Sequence, residues 1–251
     1  MDAGPIVLLL LVGVAAGFLN VVAGGGSLLT MPVMIFLGLP GPMTNGTNRV
    51  AILAQNITAV RAFWRQGFSS FRLSLTLSLC ALPGAVAGAY LGTRLEGIWF
   101  NRVLAVVMLG VMLLMMLKKK KNSVSPQEGQ PVSSQRVWAA HLLMVLIGLY
   151  GGFIQAGVGF LLMAVLHRIL GEDLVRVNMH KVFIIGSYTL VALAIFAGNG
   201  HVQWSAGLGL AAGNSIGGWI GSYFTVKKGE GAIRIIFNVT LLALAIKLLL
   251  S

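Results

Sequence analysis

Acidic residues are scarce in this chain of 251 residues, which has six Asp and Glu against 18 Lys and Arg. All six fall in predicted loops or near the termini: Asp2, Glu96, Glu128, Glu172, Asp173 and Glu230. No carboxylate is therefore predicted inside an apolar segment, where it could bind a cation or relay protons. This absence argues against a cation transporter.

Cysteine and histidine are also rare. The single cysteine, Cys80, excludes an intrachain disulfide and a chelating cysteine pair. The four histidines are scattered, and no nucleophile lies beside a base. The sequence therefore predicts no enzyme, no catalytic residue, no metal site and no cofactor.

Apolar residues are abundant instead, at 57% of the chain, with 10% charged residues and a mean hydropathy of +0.89. Such a composition indicates an all-α polytopic membrane protein, multi-pass in the cell inner membrane or plasma membrane. The net charge of +12 comes mostly from residues at segment ends. This placement indicates topology signals and lipid contacts, and no nucleic acid partner.

Ten apolar segments form two groups of five, separated by a polar linker that begins with four lysines. The segments are predicted near 5–23, 28–39, 50–64, 73–92, 100–117, 137–156, 160–170, 182–197, 205–226 and 232–250. The predicted organisation is a first transmembrane repeat over 1–117, a cytoplasmic linker over 118–136 and a second repeat over 137–251.

The two groups are internal repeats at a constant offset, since Asn178 follows Asn45 by 133 positions. The same offset pairs Gly24 with Gly157, Gly26 with Gly159, Gly38 with Gly171, Gly67 with Gly200, Gly84 with Gly217, Gly88 with Gly221 and Tyr90 with Tyr223. If each half has five crossings, the repeats are inverted and most basic loops face the cytoplasm. If the short second segment only re-enters, the repeats are parallel and basic loops face outward. Inversion is favoured, with both termini outside the cytoplasm.

Each half contains a helix broken by glycines, followed by a short half-helix and a predicted second, polar break at 44–49 or 178–181. Half-helix N-termini carry unpaired N–H groups and partial positive charge, so they favour an anion. Polar and cationic side chains beside the breaks add hydrogen bonds. The predicted substrate-binding residues are Gly24, Gly25, Gly26, Ser27, Asn45, Thr47, Asn48, Arg49, Gln155, Gly157, Gly159, Asn178, His180 and Lys181.

Several of these features have alternative interpretations. Arg49 could instead snorkel to the membrane interface, and His180 could carry a coupling proton or have no ligand. Asn20 and Gln55 could join helices or line the transport path. The GxxxG spacing at Gly84 and Gly217 favours packing within the bundle, with a homodimer face as the alternative.

The first tract, GFLNVVAGGGSLLTMPVMIFLGLPGPMTNGTNR, carries a glycine run, Pro32, Gly38, Pro40 and the residues Asn45 to Asn48. It resembles the TauE/SafE sulfite-exporter family of membrane permeases, and GLYGGFIQAGVGFLLMAVLHRILG resembles the equivalent tract of that family's second half. The resemblance covers nearly the whole chain. It implies transport of sulfur-containing anions such as sulfite, thiosulfate or organosulfonates.

Together these features predict a secondary transporter that exports sulfite or an organosulfonate such as sulfoacetate by alternating access. Export, as opposed to uptake, rests on the resemblance alone. The alternatives are an anion channel, or an uptake permease for thiosulfate or another small organic anion.

Overall fold

A computed structural model of the chain describes residues 3–69, 71–95, 97–116 and 133–227. The regular structure of these residues is entirely helical. The helices are α1 (Ala3–Ala23), α2 (Ser27–Phe36), α3 (Gly41–Arg65), α4 (Phe71–Gly92), α5 (Gly97–Met116), α6 (Ser134–Phe153), α7 (Val158–Ala164), α8 (Leu174–Gly198) and α9 (Trp204–Lys227), and a π-helical turn (Val165–Ile169) continues α7. The predicted segment 232–250 and most of the predicted linker lie outside the described residues.

Four of the described helices are long and apolar enough to cross a membrane. They span Gly4–Ala23, Phe71–Gly92, Ser134–Phe153 and Leu174–Gly198. Large apolar side chains cover the outer face of α6, where Leu142 and Leu146 are 68% and 62% exposed. An exposed apolar face of this kind is suited to lipid, which agrees with a multi-pass membrane protein.

The prediction of a second, polar break in each half is wrong. Residues 44–49 lie in the first turns of α3, and residues 178–181 lie in the first turns of α8. Every residue of both tracts is buried. Their polar side chains lower the hydropathy without ending the helix, because an α-helix satisfies its own backbone groups and the side chains find partners inside the protein.

Loop glycines recur at the offset of the repeat. Three pairs of glycines have positive φ, a conformation that side chains with a Cβ rarely adopt. The pairs are Gly24 (88°) with Gly157 (71°), Gly38 (87°) with Gly171 (74°), and Gly67 (88°) with Gly200 (73°). In each half the chain therefore turns at the same three places.

Helices α1 and α9 run parallel and in close contact. A Cβ added at Gly213 would lie 2.0 Å from Leu10 O, and one added at Gly217 would lie 2.0 Å from Val14 O. Both helices thus advance in the same direction along the contact. Since Gly217 belongs to the GxxxG motif of α9, this motif serves packing within the bundle.

Helices α4 and α6 repeat this arrangement. A Cβ at Gly84 would lie 2.0 Å from Val145 O, and one at Gly88 would lie 2.0 Å from Leu149 O. These two helices are also parallel, and the GxxxG motif of α4 again packs inside the chain.

The central helices α3 and α8 run antiparallel. A Cβ at Gly46 would lie 3.1 Å from the Cβ of Phe196, whereas a Cβ at Gly186 would lie 3.3 Å from the Cβ of Asn56. Helix α3 also packs on α9, and α8 packs on α4. The pair α3 and α8 therefore connects the α1–α9 pair to the α4–α6 pair.

Candidate functional site

The two glycine breaks meet at the centre of the fold. The first break is defined here as residues 24–26, between α1 and α2, and the second break as residues 154–159, from the end of α6 into the first turn of α7. A Cβ on Gly24 would lie 2.7 Å from the Cα of Gly159, and a Cβ on Gly159 would lie 2.4 Å from the Cα of Gly24. Only glycine allows the two backbones to approach this closely, so the sequence-predicted Gly24 and Gly159 are neighbours.

Helix α6 ends at the second break, and α3 caps its last turn. The last carbonyls of a helix have no partner within the helix. Here Asn45 Nδ2 donates to Phe153 O at 2.7 Å and Arg49 Nη1 donates to Gly151 O at 3.2 Å. Arg49 Nη2 also donates to Gly152 O. Side chains of the first half thus satisfy three successive carbonyls of the second half.

The Arg49 guanidinium is fully buried, so the alternative that it snorkels to the interface is wrong. It donates to Gln155 Oε1 at 3.1 Å and to Asn45 Oδ1 at 3.2 Å. Its Cζ lies 4.7 Å from the centroid of the Phe196 ring, a cation–π contact. No carboxylate in the described part of the chain lies within 4.0 Å of it. The partial negative charge of the α6 C-terminus is therefore its main local counter-charge.

Gln155 holds this arginine from a strained backbone position. Its φ is 60°, the only positive value of a non-glycine residue among those the structure describes. Its Nε2 donates to Thr189 Oγ1 at 2.9 Å while its Oε1 accepts from Arg49. Non-glycine residues with left-handed backbone are uncommon and often occur at functional sites. Gln155 joins the second break to both central helices.

Lys181 occupies the equivalent place at the first break. It is fully buried, and its Nζ donates to Val21 O at 2.8 Å, near the C-terminus of α1. It also donates to Asn178 Oδ1 and lies 3.9 Å from Met163 Sδ. In each half, then, a cation on the central helix binds the end of the broken helix of the other half. An asparagine at the preceding turn of the same central helix contacts each cation.

The other predicted residues lie around this centre. Asn48 donates to Ser27 Oγ at 3.0 Å and accepts from Thr30 Oγ1 at 2.6 Å, which ties α3 to the start of α2. Thr47 Oγ1 accepts from Gln203 N at 2.9 Å. Gly26 fits beside Ala16, whose carbonyl oxygen would lie 2.2 Å from an added Cβ.

His180 lies apart from the two cations. Its Nδ1 is 2.7 Å from Ser74 Oγ, so it faces α4. The structure therefore brings together the breaks, Asn45, Arg49, Gln155, Asn178 and Lys181, and it places Thr47 and His180 outside that group.

Comparison with known proteins identifies the family. Residues 9–248 match the family described as Sulfite exporter TauE/SafE. The chain belongs to this family. It is 30% identical to the probable membrane transporter protein ORF9 of a Sinorhizobium species, over 93% of this chain and 88% of that protein. It is 27% identical to a probable membrane transporter protein of Haemophilus influenzae, over 93% and 91% of the two chains. It is also 23% identical to the probable membrane transporter protein YfcA of Escherichia coli K12, over 96% and 88%.

No solved structure matches the chain. The family and these relatives make the protein a membrane transporter of the TauE/SafE family. This result confirms the resemblance to the family that the two glycine-rich tracts indicated.

Of the two roles that the sequence leaves open for Asn20 and Gln55, the structure shows that they join helices. Asn20 and Asn214 both donate to Gln55 Oε1, at 3.2 and 3.3 Å. Sequence reasoning missed Asn214, and it also missed Tyr188 and Thr189 on α8, which are fully buried. A signal for these two was available, because the repeat offset places them opposite Gln55 and Asn56 on α3.

Proposed function

We propose that this transporter exports a small sulfur-containing anion, sulfite or an organosulfonate such as sulfoacetate, by alternating access. The observation that carries the proposal is the pair of buried cations, Arg49 and Lys181, at two helix breaks that touch each other. Ionisable residues inside membrane segments are costly and typically mark a transport path. One cation at each of two touching breaks favours an anion.

The described acidic residues support an anion over a cation. They are Glu172 and Asp173, at the N-terminus of α8, where both pair with Arg176 at 3.9 and 3.3 Å. Burial raises the pKa of Glu172 above its usual range, while Arg176 opposes that effect. Neither carboxylate lies beside the breaks. The family's printed description, a sulfite exporter, supplies the sulfur chemistry of the proposal.

An inverted-repeat architecture is the second part of the proposal. Helices α3 and α8 correspond under the offset of 133. They run antiparallel, since Gly46 contacts Phe196 near one end and Asn56 contacts Gly186 further along. The parallel pairs α1–α9 and α4–α6 exchange under the same offset. The exchange shows that the two halves share one packing plan, and the antiparallel α3 and α8 support halves of opposite orientation, which is the usual basis for alternating access.

Direction follows from electrostatics and from the family. In an inner or plasma membrane that is negative inside, the potential favours outward movement of an anion by about 2.3 kcal/mol per charge per 100 mV. We therefore place the protein in such a membrane as an exporter.

Transport in proteoliposomes with labelled sulfite and labelled sulfoacetate tests the proposal. Asn45→Ala and Asn178→Ala each remove the amide oxygen that contacts one buried cation. Each is expected to lower the uptake rate by about tenfold or more, since a hydrogen bond to a charged group is lost. Asn199→Ala is the matched control, because Asn199 is exposed at the end of α8 and, among the described residues, its side chain bonds only to Ile195 O.

Unchanged binding and transport in both Asn45→Ala and Asn178→Ala would refute the site. Movement of carboxylates such as acetate without any movement of sulfur anions would refute the substrate class and leave the architecture standing. Conductance at channel rates, with no saturation, would contradict alternating access.

A further inference from the structure

One N–H of the Arg49 guanidinium has no partner among the residues that the structure describes. Arginine offers five N–H donors, and those of Nη1 and Nη2 make four hydrogen bonds to Gly151, Gly152, Gln155 and Asn45. Nε is buried and has no acceptor in the described part of the chain. The four occupied donors fix the guanidinium in place and leave the fifth available.

The hydroxyl of Tyr188 is a second unpartnered donor in the same place. Tyr188 is fully buried on α8, and its Oη has no hydrogen-bond partner among the described residues. Gly151 connects it to Arg49: a Cβ on Gly151 would lie 2.7 Å from Tyr188 Oη, and the Gly151 carbonyl accepts from Arg49 Nη1 at 3.2 Å. A side chain at position 151 would fill the space that the hydroxyl occupies.

The corresponding position on α3 also carries an unpartnered donor. The repeat offset relates Tyr188 to Gln55, and Gln55 Nε2 is buried without an acceptor in the described structure. The two central helices thus present an O–H and an N–H at matched positions. Buried donors without partners are costly, and Phe would avoid that cost at position 188. A ligand rich in acceptor oxygens explains why both donors are present.

We propose that Tyr188 Oη and Arg49 Nε donate together to the oxygens of the transported anion, which makes Tyr188 a substrate-binding residue. This inference rests on the proposed function and narrows it. The ligand class is an oxyanion that accepts hydrogen bonds through several oxygens, such as sulfite or a sulfonate. The two donors differ in kind, since the guanidinium supplies charge and the phenol supplies a neutral hydrogen bond.

Tyr188→Phe tests this by removing one oxygen atom. Binding of labelled sulfite and labelled sulfoacetate to purified protein in detergent is measured, together with thermal unfolding in the absence of anion. The dissociation constant is expected to rise by about tenfold or more, because a hydrogen bond to a charged ligand is lost. The unfolding temperature should stay the same or rise, since the hydroxyl has no protein partner to lose.

Tyr90→Phe is the matched control, because Tyr90 lies on the surface of α4 and is 54% exposed. This variant should leave the dissociation constant within about twofold and the unfolding temperature unchanged. Loss of affinity in Tyr188→Phe alone, without loss of stability, supports the inference.

The inference is overturned if the wild-type protein binds either anion and Tyr188→Phe binds it equally well, as expected for a hydroxyl that contacts only water. It is also overturned if Tyr188→Phe loses affinity and unfolding temperature together, as expected for a structural hydroxyl. If the wild-type protein binds neither anion, the proposed function fails, and this inference fails with it.

Discussion

The first and second breaks are built on the same plan, but different cations cap the helix ends beside them. At the second break, the planar fork of Arg49 spans two successive carbonyls of α6 and two side-chain amides. At the first break, the Lys181 ammonium donates to Val21 O and Asn178 Oδ1. A guanidinium fixes several acceptors in one geometry, whereas an ammonium on a flexible stem is a point charge.

The helix ends themselves explain part of this difference. Helix α6 ends with Gly151 and Gly152, and an added Cβ at Gly152 would lie 2.2 Å from Ala85 O. Close packing against α4 and α8 holds this end in place. Under the offset of 133, the equivalents of Gly151 and Gly152 in α1 are Phe18 and Leu19, which have side chains. We infer that the second break is the more firmly held, fixed side of the site.

The comparison is tested most strongly by removing each cation. Arg49→Met leaves two buried carbonyls and two amide oxygens without their donors, and it is expected to lower the free energy of unfolding by about 2–6 kcal/mol. Lys181→Met leaves fewer of the observed acceptors unpaired, so we expect a loss of about 1–3 kcal/mol. Urea unfolding in detergent micelles measures both values.

Arg49→Lys separates the effect of the charge from that of the hydrogen-bond geometry, since lysine keeps the positive charge but lacks the planar guanidinium. Its stability should fall between those of wild type and Arg49→Met. A larger loss in Lys181→Met than in Arg49→Met would contradict the assignment of the second break as the fixed side.

Contact between the breaks is tested by Gly159→Ala. The new Cβ would lie 2.4 Å from the Cα of Gly24, and this backbone cannot move aside without shifting the first break. Overpacking of this kind typically costs about 1–3 kcal/mol, so the unfolding temperature should drop by several degrees. Transport should fall as well, because the two halves can no longer approach.

The control for this change is Gly110→Ala, in α5, where an added Cβ meets nothing within 4 Å. Its unfolding temperature should remain at or slightly above that of wild type. Equal unfolding temperatures and transport rates in the two variants would show that the close approach of the breaks has no consequence.

The sequence predicted the helical segments well because their signals are local. The segments 5–23 and 73–92 differ from α1 and α4 by at most two residues at either end. Apolar runs mark these helices, and glycines with positive φ mark their ends. The constant offset added information that a single run lacks, since a turn seen in one half predicts a turn in the other.

The polar tracts could not be predicted in the same way. Residues 44–49 resemble a loop because polar side chains inside a membrane need partners, and the partners lie far away in the sequence. Asn45 bonds to Phe153, 108 positions later, and Lys181 bonds to Val21, 160 positions earlier. Such contacts depend on how α3 and α8 pack, which hydropathy does not encode.

The sequence indicates which polar residues lie beside the breaks but not how they are connected. The polarity of Arg49, Gln155, Asn178 and Lys181 is visible in the sequence, whereas their pairing follows only from the fold. Tyr188 was missed because its phenol lies in an apolar run and resembles a packing residue. Its missing hydrogen-bond partner becomes visible only when its neighbours are known.

The smallest expected effects concern the loops, where the two halves are alike. Gly67 and Gly200 connect α3 to α4 and α8 to α9, with φ values of 88° and 73° and no atom within 4 Å of an added Cβ. Alanine at either position should lower the free energy of unfolding by about 1–2 kcal/mol, because its only cost is the left-handed backbone conformation. We expect equal losses in Gly67→Ala and Gly200→Ala, measured by urea unfolding, with transport unchanged.

The two losses should add within about 0.5 kcal/mol, because the loops lie at opposite ends of α3 and share no partner. Gly198→Ala is the control, since it is two residues from Gly200, has open space and lacks positive φ. Alanine there should stabilise the helix end slightly, because glycine has the higher conformational entropy in the unfolded chain. Unequal losses at Gly67 and Gly200 would mean that the difference between the halves extends beyond the breaks to the loops. The difference between the breaks would then need a cause other than Arg49 and Lys181.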